Sequence, residues 1–316
     1  MRLVFMGTPE TAVPTLKRCV EDGHEVVAVW TQPDRPAGRG GRLHASPVKE
    51  YALSKGLAVR QPPKLKTEEA LALFESHGAD AAVVVAYGRI LPATYLRAPR
   101  VGCINVHFSL LPKYRGAAPV NWAVVRGEQE TGVTTMLMDE GLDTGPLLLQ
   151  RATPIGERET APELLARLSH TGAELLSETL ARLGELEPRP QRAEDATHAP
   201  MLRREDGLID WTHDASEIER RVRGFQPWPN AHTTHGGRRL ILWSAEPFNI
   251  NDDQERAPVE PSPGTVVEAR GDELAVACGK GTALRVSELQ PEGKQRMKAR
   301  DFINGMRVEA GARFGD

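Results

Sequence analysis

One strand-like segment of the sequence places several polar side chains where they could act together. Residues 102–119 read GCINVHFSLLPKYRGAAP, and the first half of this segment is strand-like. Side chains alternate faces along a strand, so Asn105, His107 and Ser109 share one face with Cys103. A side-chain amide and an imidazole on one face can donate hydrogen bonds to a developing oxyanion and transfer protons. A hydrogen-bonded core histidine is the alternative interpretation of the Asn-x-His pattern alone.

A second segment with acidic side chains follows about thirty residues later. Residues 138–146 read MDEGLDTGP, a glycine-punctuated acidic loop between two strand-like runs. Taken alone, such a loop is typical of a solvated turn. Its carboxylates gain interest only if the fold brings one of them to the strand that carries His107.

The elements that would position these residues follow an α/β pattern. Apolar and β-branched runs alternate with segments of helical spacing, which predicts a doubly wound, mainly parallel sheet of Rossmann-like type. In such sheets ligands collect at the carboxyl ends of the strands, where Asn105, His107 and Ser109 would lie. The predicted strands are residues 3–6, 26–30, 81–87, 102–109 and 131–138, and the clearest predicted helices are residues 67–77 and 161–183.

The pattern changes in the last third of the chain. Residues 185–206 are rich in Pro, Arg, Glu and Asp without periodicity, which is typical of a linker. Short strand-like runs separated by glycine and proline follow, and they predict a small OB-like β-barrel or a sandwich. We therefore expect a first domain at 1–187, a linker at 188–206 and a C-terminal β-barrel domain at 207–316.

Length and composition fit this division and exclude several classes of protein. A chain of 316 residues is long enough for two domains, and 40% hydrophobic with 26% charged residues is ordinary for a globular protein. No apolar run approaches the roughly 20 residues of a membrane span. The run from Leu3 to Met6 is too short for the apolar core of a signal peptide, so we expect none. We expect a cytoplasmic protein without a membrane partner.

Cysteine spacing and net charge narrow the chemistry further. Cys19, Cys103 and Cys278 lie far apart, so neither a paired zinc site nor a disulfide framework is predicted. A formal net charge of −3 excludes a generally basic nucleic-acid coat. One local basic segment remains, because residues 35–66 contain eight Lys and Arg residues and only one acid, Glu50.

Together these segments resemble the family of methionyl-tRNA formyltransferases, which use 10-formyltetrahydrofolate. The resemblance covers nearly the whole chain, including an arginine-rich loop and a C-terminal domain that glycinamide ribonucleotide formyltransferases lack. Its motifs are FMGTPE at 5–10, TQPDRPAGRG at 31–40, VVVAYGRILP at 83–92, SLLP at 109–112, GLDTG at 141–145, IDW at 209–211 and FQPWPNA at 225–231.

The resemblance implies transfer of a formyl group to the α-amino group of initiator methionyl-tRNA, with Asn105, His107 and Asp143 as the catalytic set. Attack of an amine on the formyl carbon creates an oxyanion, to which the Asn105 amide would donate. His107 would donate to the same oxygen or protonate the departing folate nitrogen. Asp143 would hold the charge state of the histidine or relay the proton of the nucleophile. Neither a metal nor a covalent intermediate is required.

The resemblance also implies two folate-binding segments within the first domain. The SLLP signature, Ser109, Leu110, Leu111 and Pro112, would contact the folate. Gly88, Arg89, Ile90 and Leu91 would offer backbone groups to the pterin ring, in an apolar slot with few polar contacts.

Contacts to tRNA are implied for arginines in two regions. Arg35, Arg39 and Arg42 lie in the arginine-rich loop that enters the acceptor stem in this family, and guanidinium groups bind phosphates and stack on bases. In the C-terminal region we expect Arg203 and Arg204 to contact the tRNA backbone, although nearby acids nearly balance the charge of the arginines there.

The sequence departs from the family pattern at two places. Phe108 follows the histidine where the family has a small residue, and strand alternation predicts that it packs on the opposite face. Met201 and Leu202 lie where the family linker commonly carries a lysine, which leaves a linker contact to tRNA open.

Two other functions compete with this interpretation. A formyltransferase acting on a nucleotide-linked amino sugar would share the Asn-His-Asp set and an appended domain, but the GRGGR loop favours tRNA. A dinucleotide-binding or purely RNA-binding module is disfavoured because the first turn lacks G-x-G-x-x-G and the net charge is negative. We expect a monomer.

Overall fold

The computed structural model describes residues 1–37, 42–249 and 261–316, which form a series of α-helices and β-strands. These elements follow in chain order: β1 Arg2–Gly7, α1 Val13–Glu21, β2 Glu25–Trp30, β3 Arg35–Ala37, β4 Arg42–His44, α2 Pro47–Ser54, β5 Val59–Arg60, α3 Glu68–Glu75, β6 Ala81–Val85, α4 Ala93–Arg97, β7 Cys103–His107, β8 Arg115–Gly116, α5 Pro119–Val125, β9 Glu130–Leu137, β10 Leu147–Pro154, α6 Ala161–Ala181, β11 His198–Ala199, α7 Ala215–Gly224, β12 His232–His235, β13 Arg238–Asn249, β14 Val266–Arg270, β15 Glu273–Ala277, β16 Thr282–Pro291, β17 Met297–Lys298 and α8 Ala299–Met306.

These elements belong to two compact units. Unit 1 comprises Met1–Pro119, Glu130–Pro154 and Leu164–Pro200. Unit 2 comprises Val120–Gln129, Ile155–Glu163 and Met201–Asp316. Residues 120–129 and 155–163 therefore belong to unit 2, although the chain on both sides of each segment belongs to unit 1. Unit 1 extends through residues 181–200 to Pro200.

A seven-stranded sheet in the order β10-β9-β7-β6-β1-β2-β5 forms the centre of unit 1. The five strands from β7 to β5 are parallel, whereas β9 is antiparallel to both β7 and β10. The chain order reverses at β1, so right-handed crossovers place helices on both faces. The predicted doubly wound, mainly parallel sheet is confirmed, with an antiparallel edge added.

The sequence explains the strands that lead to the site. All five residues of β6 and all five of β7 are buried, as expected for strands covered on both faces. The sequence predicts a strand at 81–87, but β6 ends at Val85 because Ala86 adopts the left-handed region with φ 45°. Helix starts nearby are capped by side chains, with Ser46 accepting from Lys49 N at 3.1 Å and Thr67 accepting from Ala70 N at 3.2 Å.

Unit 2 is built on an antiparallel sheet in the order β12-β13-β16-β15-β14, with β17 paired to β16. The last residues of the chain join its two edges. Gly315 N donates to Thr234 O on β12 at 2.9 Å, while Val266 N on β14 donates to Ala312 O at 2.8 Å. The C-terminal segment thus connects both edge strands, as a closed barrel requires. The predicted change from an α/β fold to a small β domain is confirmed.

A hydrophobic core of its own supports unit 2. Residues of α7, α8 and the sheet pack together with Trp211 and Phe314, which lie outside these elements. Phe302 of α8 is the other large residue of this core. Trp211 donates its indole N–H to Thr233 at 3.0 Å, which satisfies the one polar atom of its buried ring. Among all the helices described, none is both long and apolar enough to span a bilayer.

Candidate active site

Strand β7 carries Asn105 and His107 at the carboxyl end of the parallel sheet. It lies between β6 and β9, with Asn105 opposite Val84 and His107 opposite Thr134. Both side chains belong to the buried polar residues, with 9% of Asn105 and 6% of His107 exposed. The alternation predicted from the sequence therefore operates inside a covered sheet, where polar groups need partners or a ligand.

His107 has one ring nitrogen fixed by the backbone and the other facing a carboxylate. Its Nε2 lies 2.9 Å from Tyr114 O, and its Nδ1 lies 3.7 Å from Asp143 Oδ2. A carbonyl oxygen can only accept, so Nε2 donates in both the neutral and the charged imidazole. Nδ1 is therefore the ring nitrogen that faces Asp143.

The loop at residues 138–146, which we call the Asp143 loop, is an ordered structure rather than a solvated turn. Asp139 accepts hydrogen bonds from Gly141 N at 3.0 Å and from Thr144 Oγ1 at 2.6 Å. Gly145 passes so close to Leu137 O that a Cβ there would lie 1.8 Å from it. Asp143 adopts φ 55°, and its Oδ2 accepts from Gly116 N at 2.8 Å.

Asn105 differs from its neighbours because its side-chain amide is not used within the fold. It is nine-tenths buried, yet within the described part of the chain its amide forms no hydrogen bond. A buried amide without a partner costs free energy, which a bound polar ligand would recover. Asn105 is thus the polar group of this site that is most clearly available to a substrate.

The SLLP segment follows β7 directly and is held by side chains of β9 and β10. Thr134 donates to Ser109 O at 2.6 Å and accepts from Leu111 N at 3.1 Å. Gln150 donates to Leu111 O at 2.8 Å, and Ser109 Oγ donates to Lys113 O at 2.7 Å. The segment is therefore rigid, and Leu111 is buried against β9 and β10.

The second expected folate segment, residues 88–91, follows β6 at the same end of the sheet. Gln32 Nε2 donates to Tyr87 O at 2.9 Å and to Gly88 O at 3.2 Å. A Cβ on Gly88 would lie only 2.4 Å from this Nε2 atom. The backbone N–H groups of residues 88–91 donate to no acceptor among the described residues. Leu91 is buried, whereas Ile90 is 86% exposed.

The arginines expected to contact tRNA lie in both units. Arg35 is the first residue of β3, which forms a short hairpin with β4 in unit 1. Its Nη2 donates a hydrogen bond to Gln32 Oε1 at 2.5 Å. The backbone of Arg42 begins β4. Arg39 lies outside the described residues. Arg203 and Arg204 are exposed in unit 2, where Asp206 accepts from Arg203 N at 2.6 Å.

Sequence reasoning missed several polar residues that surround His107 and Asp143. Gln191 Nε2 donates to Asp143 O at 2.9 Å and to Gly145 O at 2.8 Å. Its Oε1 accepts from Arg115, whose Nη2 lies at 2.7 Å. Tyr114 N donates to Thr197 Oγ1 at 2.9 Å. Gln191 and Thr197 lie in a segment without hydrophobic periodicity, so no sequence pattern indicates their role.

The structure also shows the surroundings of Phe108 and of the three cysteines. Phe108 is buried on the face opposite His107, where it packs beside Gly172 of α6. All three cysteines are buried, and burial raises the pKa of Cys19, Cys103 and Cys278 to about 12. Such thiols carry almost no thiolate at neutral pH. In the described ranges, no three His, Cys, Asp or Glu residues form a group that could hold a metal ion.

Comparison with protein families matches most of the chain. A family described as "Formyl transferase" matches residues 1–180, and one described as "Formyl transferase, C-terminal domain" matches residues 201–307. Residues 181–200, which carry Gln191 and Thr197, fall between the two matches.

Individual relatives match along their full length. The chain is 49% identical to "Methionyl-tRNA formyltransferase" of Caldanaerobacter subterraneus subsp. tengcongensis, over 98% of this chain and 99% of the relative. It is 48% identical to the protein of the same name from Citrifermentans bemidjiense, over 100% of this chain and 96% of the relative. Among solved structures, an N-formyltransferase from Helicobacter canadensis with folinic acid and dTDP-3-aminofucose has a similar fold, with a TM-score of 0.64, 18% identity, and coverage of 90% and 98%.

Proposed function

The chain belongs to the formyltransferase family, and we propose that it transfers the formyl group of 10-formyltetrahydrofolate to the α-amino group of initiator methionyl-tRNA. The observation that carries the proposal is the site itself. An unpaired buried amide at Asn105 lies on the same strand face as His107, whose Nδ1 faces Asp143 at 3.7 Å. Full-length relatives at 48–49% identity support methionyl-tRNA as the acceptor.

The geometry supports a division of labour among the three side chains. As the amine nitrogen bonds to the formyl carbon, the carbonyl oxygen becomes an oxyanion, and the free N–H groups of Asn105 are suited to receive it. The amine loses a proton and the folate nitrogen gains one when its bond to the formyl carbon breaks. We assign these proton transfers to Nδ1 of His107, because Nε2 remains bonded to Tyr114 O.

Asp143 then acts as the charge partner of His107. Its Oδ2 is held by Gly116 N at 2.8 Å and lies 3.7 Å from Nδ1. This distance is too long for a direct hydrogen bond but short enough for the carboxylate charge to attract an imidazolium. An α-amino group at a chain terminus, beside an uncharged carbonyl, titrates at roughly 7.7–8.0. The methionine of methionyl-tRNA also has an uncharged ester carbonyl, so little driving force is needed to remove its proton near neutral pH.

Folate fits the carboxyl ends of β6 and β7. The free backbone N–H groups of residues 88–91 are suited to the polar edge of a pterin, and the apolar side chains of Leu91 and Leu111 already belong to the adjoining core. Ser109–Pro112 is rigid, which reduces the entropic cost of ordering a binding segment. We therefore place the co-substrate between residues 88–91 and 109–112.

For the tRNA we assign separate contributions to the two units. Arg35, Arg39 and Arg42 of the hairpin region would contact the acceptor end, and Arg203 and Arg204 would contact the phosphate backbone. In this proposal the first domain holds folate and the catalytic groups, and the β domain at 207–316 contributes tRNA affinity. We further infer a monomer that acts in the cytoplasm, where translation begins.

A direct assay tests the function. Purified protein is incubated with 10-formyltetrahydrofolate and either methionine-charged initiator tRNA or a nucleotide-linked amino sugar, and the formylated products are measured by mass spectrometry. Formylmethionine on the tRNA is expected. Formylation of the amino sugar alone would overturn the proposed acceptor while preserving the formyl-transfer chemistry.

A further inference from the structure

Gln191 occupies an unusual position, because it contacts the Asp143 loop from outside both matched family regions. It lies in residues 181–200, which we call the connector, between the family matches at 1–180 and 201–307. The sequence around it, EPRPQRAEDATHAP at 187–200, gave no structural signal other than a linker. In the structure, however, the connector belongs to unit 1.

The side chain of Gln191 uses both ends of its amide. Its Nε2 donates to Asp143 O at 2.9 Å and Gly145 O at 2.8 Å, the two carbonyls that flank Thr144. Its Oε1 accepts from Nε and Nη2 of Arg115 at 3.1 and 2.7 Å. Arg115 is buried, with 9% exposed, so its guanidinium fixes which way the Gln191 amide points.

The backbone of the connector is fixed on both sides of Gln191. Before it, Arg189 and Leu147 exchange two backbone hydrogen bonds of 2.8 and 2.9 Å across an antiparallel bridge. After it, β11 pairs in parallel with β8, and Ala118 N donates to Ala199 O at 3.3 Å. The Gln191 amide is therefore held in position without the help of the Asp143 loop.

A second contact from the connector supports His107. Thr197 Oγ1 accepts from Tyr114 N at 2.9 Å, and Arg115 N donates to Thr197 O at 2.9 Å. These bonds fix the backbone at Tyr114, whose carbonyl accepts from His107 Nε2. Two steps along the chain, Gly116 N holds Asp143 Oδ2. The connector thus reaches both members of the His107–Asp143 pair through short hydrogen-bonded paths.

We propose that the connector completes the active site, with Gln191 as a positioning residue for Asp143 and Thr197 as a positioning residue for His107. The proposal rests on the proposed function, since it concerns the same catalytic groups. Asp143 has φ 55°, a conformation that costs free energy for a residue with a side chain and persists only when surrounding bonds hold it. The two bonds from Gln191 Nε2 hold the carbonyl of Asp143 itself and that of Gly145, two residues later.

The substitution Gln191→Glu isolates this contribution. Glutamate keeps the shape of glutamine and can still accept from Arg115, but it cannot donate to the carbonyls of Asp143 and Gly145. Small displacements of a catalytic group cost up to about 100-fold in rate, so we expect kcat with methionyl-tRNA to fall about 10- to 100-fold. The equilibrium dissociation constant for tetrahydrofolate, which the 88–91 and 109–112 segments bind, should change less than about threefold.

A double-mutant cycle separates positioning from general structural support. If Gln191 acts through the Asp143 carboxylate, Gln191→Glu should lower kcat much less in an Asp143→Asn background than in the wild type. Equal losses in both backgrounds would overturn the assignment. If the wild-type protein itself transferred no formyl group, the proposed function would be refuted instead. Failure of the positioning role and failure of the proposed function therefore give different results.

Gln290→Glu provides a matched control, because Gln290 also bridges two groups through its amide. It accepts from Trp243 Nε1 at 3.0 Å and donates to Lys294 O at 2.8 Å, both within unit 2. This variant should lose thermal stability without a change in kcat at saturating substrates. An equal fall in kcat for both glutamine variants would mean that the effect reports stability alone.

Thr197 supplies a second variant that leaves Gln191 intact. Thr197→Val keeps the shape of the exposed side chain but removes the acceptor for Tyr114 N, whereas Thr197→Ser retains it. We expect kcat to fall at least about threefold in the valine variant, because one hydrogen bond is lost. In the serine variant kcat should be close to that of the wild type. Equal activity of the two variants would overturn the role of Thr197.

Discussion

Two aspartates of one loop, four residues apart, have different tasks. Asp139 accepts from Gly141 N and Thr144 Oγ1, so its carboxylate shapes the loop. Asp143 accepts one backbone bond and directs its charge toward His107. From the sequence alone the two could not be distinguished by their surroundings, since each is followed by a glycine two positions later.

This difference gives a prediction for paired substitutions in the loop. Asp139→Asn should be nearly neutral, because an amide oxygen can accept the same two hydrogen bonds. Asp143→Asn should lower kcat at least about 100-fold, because it removes the charge that stabilises the imidazolium of His107. Steady-state formylation of methionyl-tRNA measures both.

The same assay tests whether the catalytic residues act as a unit. Groups that act together have non-additive effects, so Asp143→Asn combined with His107→Ala should cost little more than His107→Ala alone. Asn105→Ala, which removes an oxyanion donor, should lower kcat about 10²- to 10³-fold. Wild-type turnover in His107→Ala would contradict the catalytic assignment.

A histidine outside the site gives a prediction about pH. Burial, with a smaller contribution from Arg60, lowers the pKa of His77 below its ordinary value of 6.5. Trp30 Nε1 donates to His77 Nε2 at 3.3 Å, a bond that only the neutral ring can accept. The unfolded chain therefore binds a proton at His77 more readily than the folded protein does. The contribution of neutral His77 to the free energy of unfolding is thus present above pH 6.5 and is lost as pH falls through the folded pKa.

Replacing His77 by Gln should remove this part of the pH dependence. Urea unfolding between pH 7.5 and 5 should show a smaller loss of unfolding free energy in His77→Gln than in the wild type, because glutamine does not titrate. Other titrating groups are common to both proteins and cancel in the comparison. Parallel pH profiles would rule out a contribution from His77.

At the scale of elements, α6 lies directly against the strand that carries the site. A Cβ on Gly172 of α6 would lie 2.9 Å from Cγ1 of Val106 and 3.3 Å from Phe108. Val106 lies between Asn105 and His107 on the opposite face of β7. The glycine thus permits a close approach of helix and strand that the sequence pattern of α6 did not predict.

Gly172→Ala should therefore be destabilising although alanine is the better helix former. Overpacking costs about 1–3 kcal/mol, whereas the gain in helix propensity is no more than about 1 kcal/mol, so we expect a net loss of stability. We expect a lower Tm and a reduced kcat from displacement of β7. Gly184→Ala is the control, since no atom lies within 4 Å of its Cβ position. Equal stability of the two variants would contradict the close approach.

The hairpin of β3 and β4 is a second element with a testable role. Its base is anchored, because Asp34 accepts from Lys49 Nζ at 2.6 Å and from Gln61 Nε2 at 2.7 Å. Ala37 pairs with Arg42, and the residues between them lie outside the described part of the chain. The hairpin therefore has an anchored base and carries Arg35 and Arg42, two of the arginines expected to contact tRNA.

Arg42→Ala should weaken the use of tRNA and leave folate binding intact. Each lost phosphate contact reduces the slope of log K against log salt by about one, so the salt dependence of KM for tRNA should become shallower. Arg100→Ala, which removes an exposed arginine paired with Asp80, serves as the control. A comparable loss of folate affinity in Arg42→Ala would contradict this role.

Elements were predictable where a local pattern determines them. The buried strands β1, β2, β6, β7 and β9 and the helix α6 follow directly from runs of apolar residues or from helical spacing. The connector could not be predicted, because Gln191, Thr197 and β11 are held by contacts with residues far away in the sequence. The antiparallel direction of β9 likewise depends on tertiary pairing, which periodicity does not encode.

At the scale of the whole molecule, the two units do not coincide with a simple division of the chain. Residues 120–129 and 155–163 belong to unit 2, where Asn121 Nδ2 donates to Gly224 O at 2.7 Å and Trp122 lies against Phe225 with ring centroids 5.6 Å apart. Unit 2 therefore takes part of its packing from the first half of the sequence, which sequence reasoning did not detect.

Removal of the β domain tests whether it supplies tRNA affinity. A protein ending at Glu187 would lose Gln191, Thr197 and β11, so its failure would not distinguish tRNA binding from damage to the Asp143 loop. Ending the chain at Pro200 retains these contacts. It exposes Trp122, so folding must be verified by circular dichroism and thermal unfolding.

For the protein of residues 1–200 we expect folate binding close to that of the full chain and a large fall in kcat/KM for methionyl-tRNA. Binding energy from remote contacts keeps a large substrate in register with the catalytic groups, so its loss lowers the rate although Asn105, His107 and Asp143 remain. Isothermal titration with tetrahydrofolate and a formylation assay measure the two properties separately. Unchanged kcat/KM would refute a role of the β domain in tRNA affinity, whereas a folded protein without folate binding would refute the assignment of folate to the first domain.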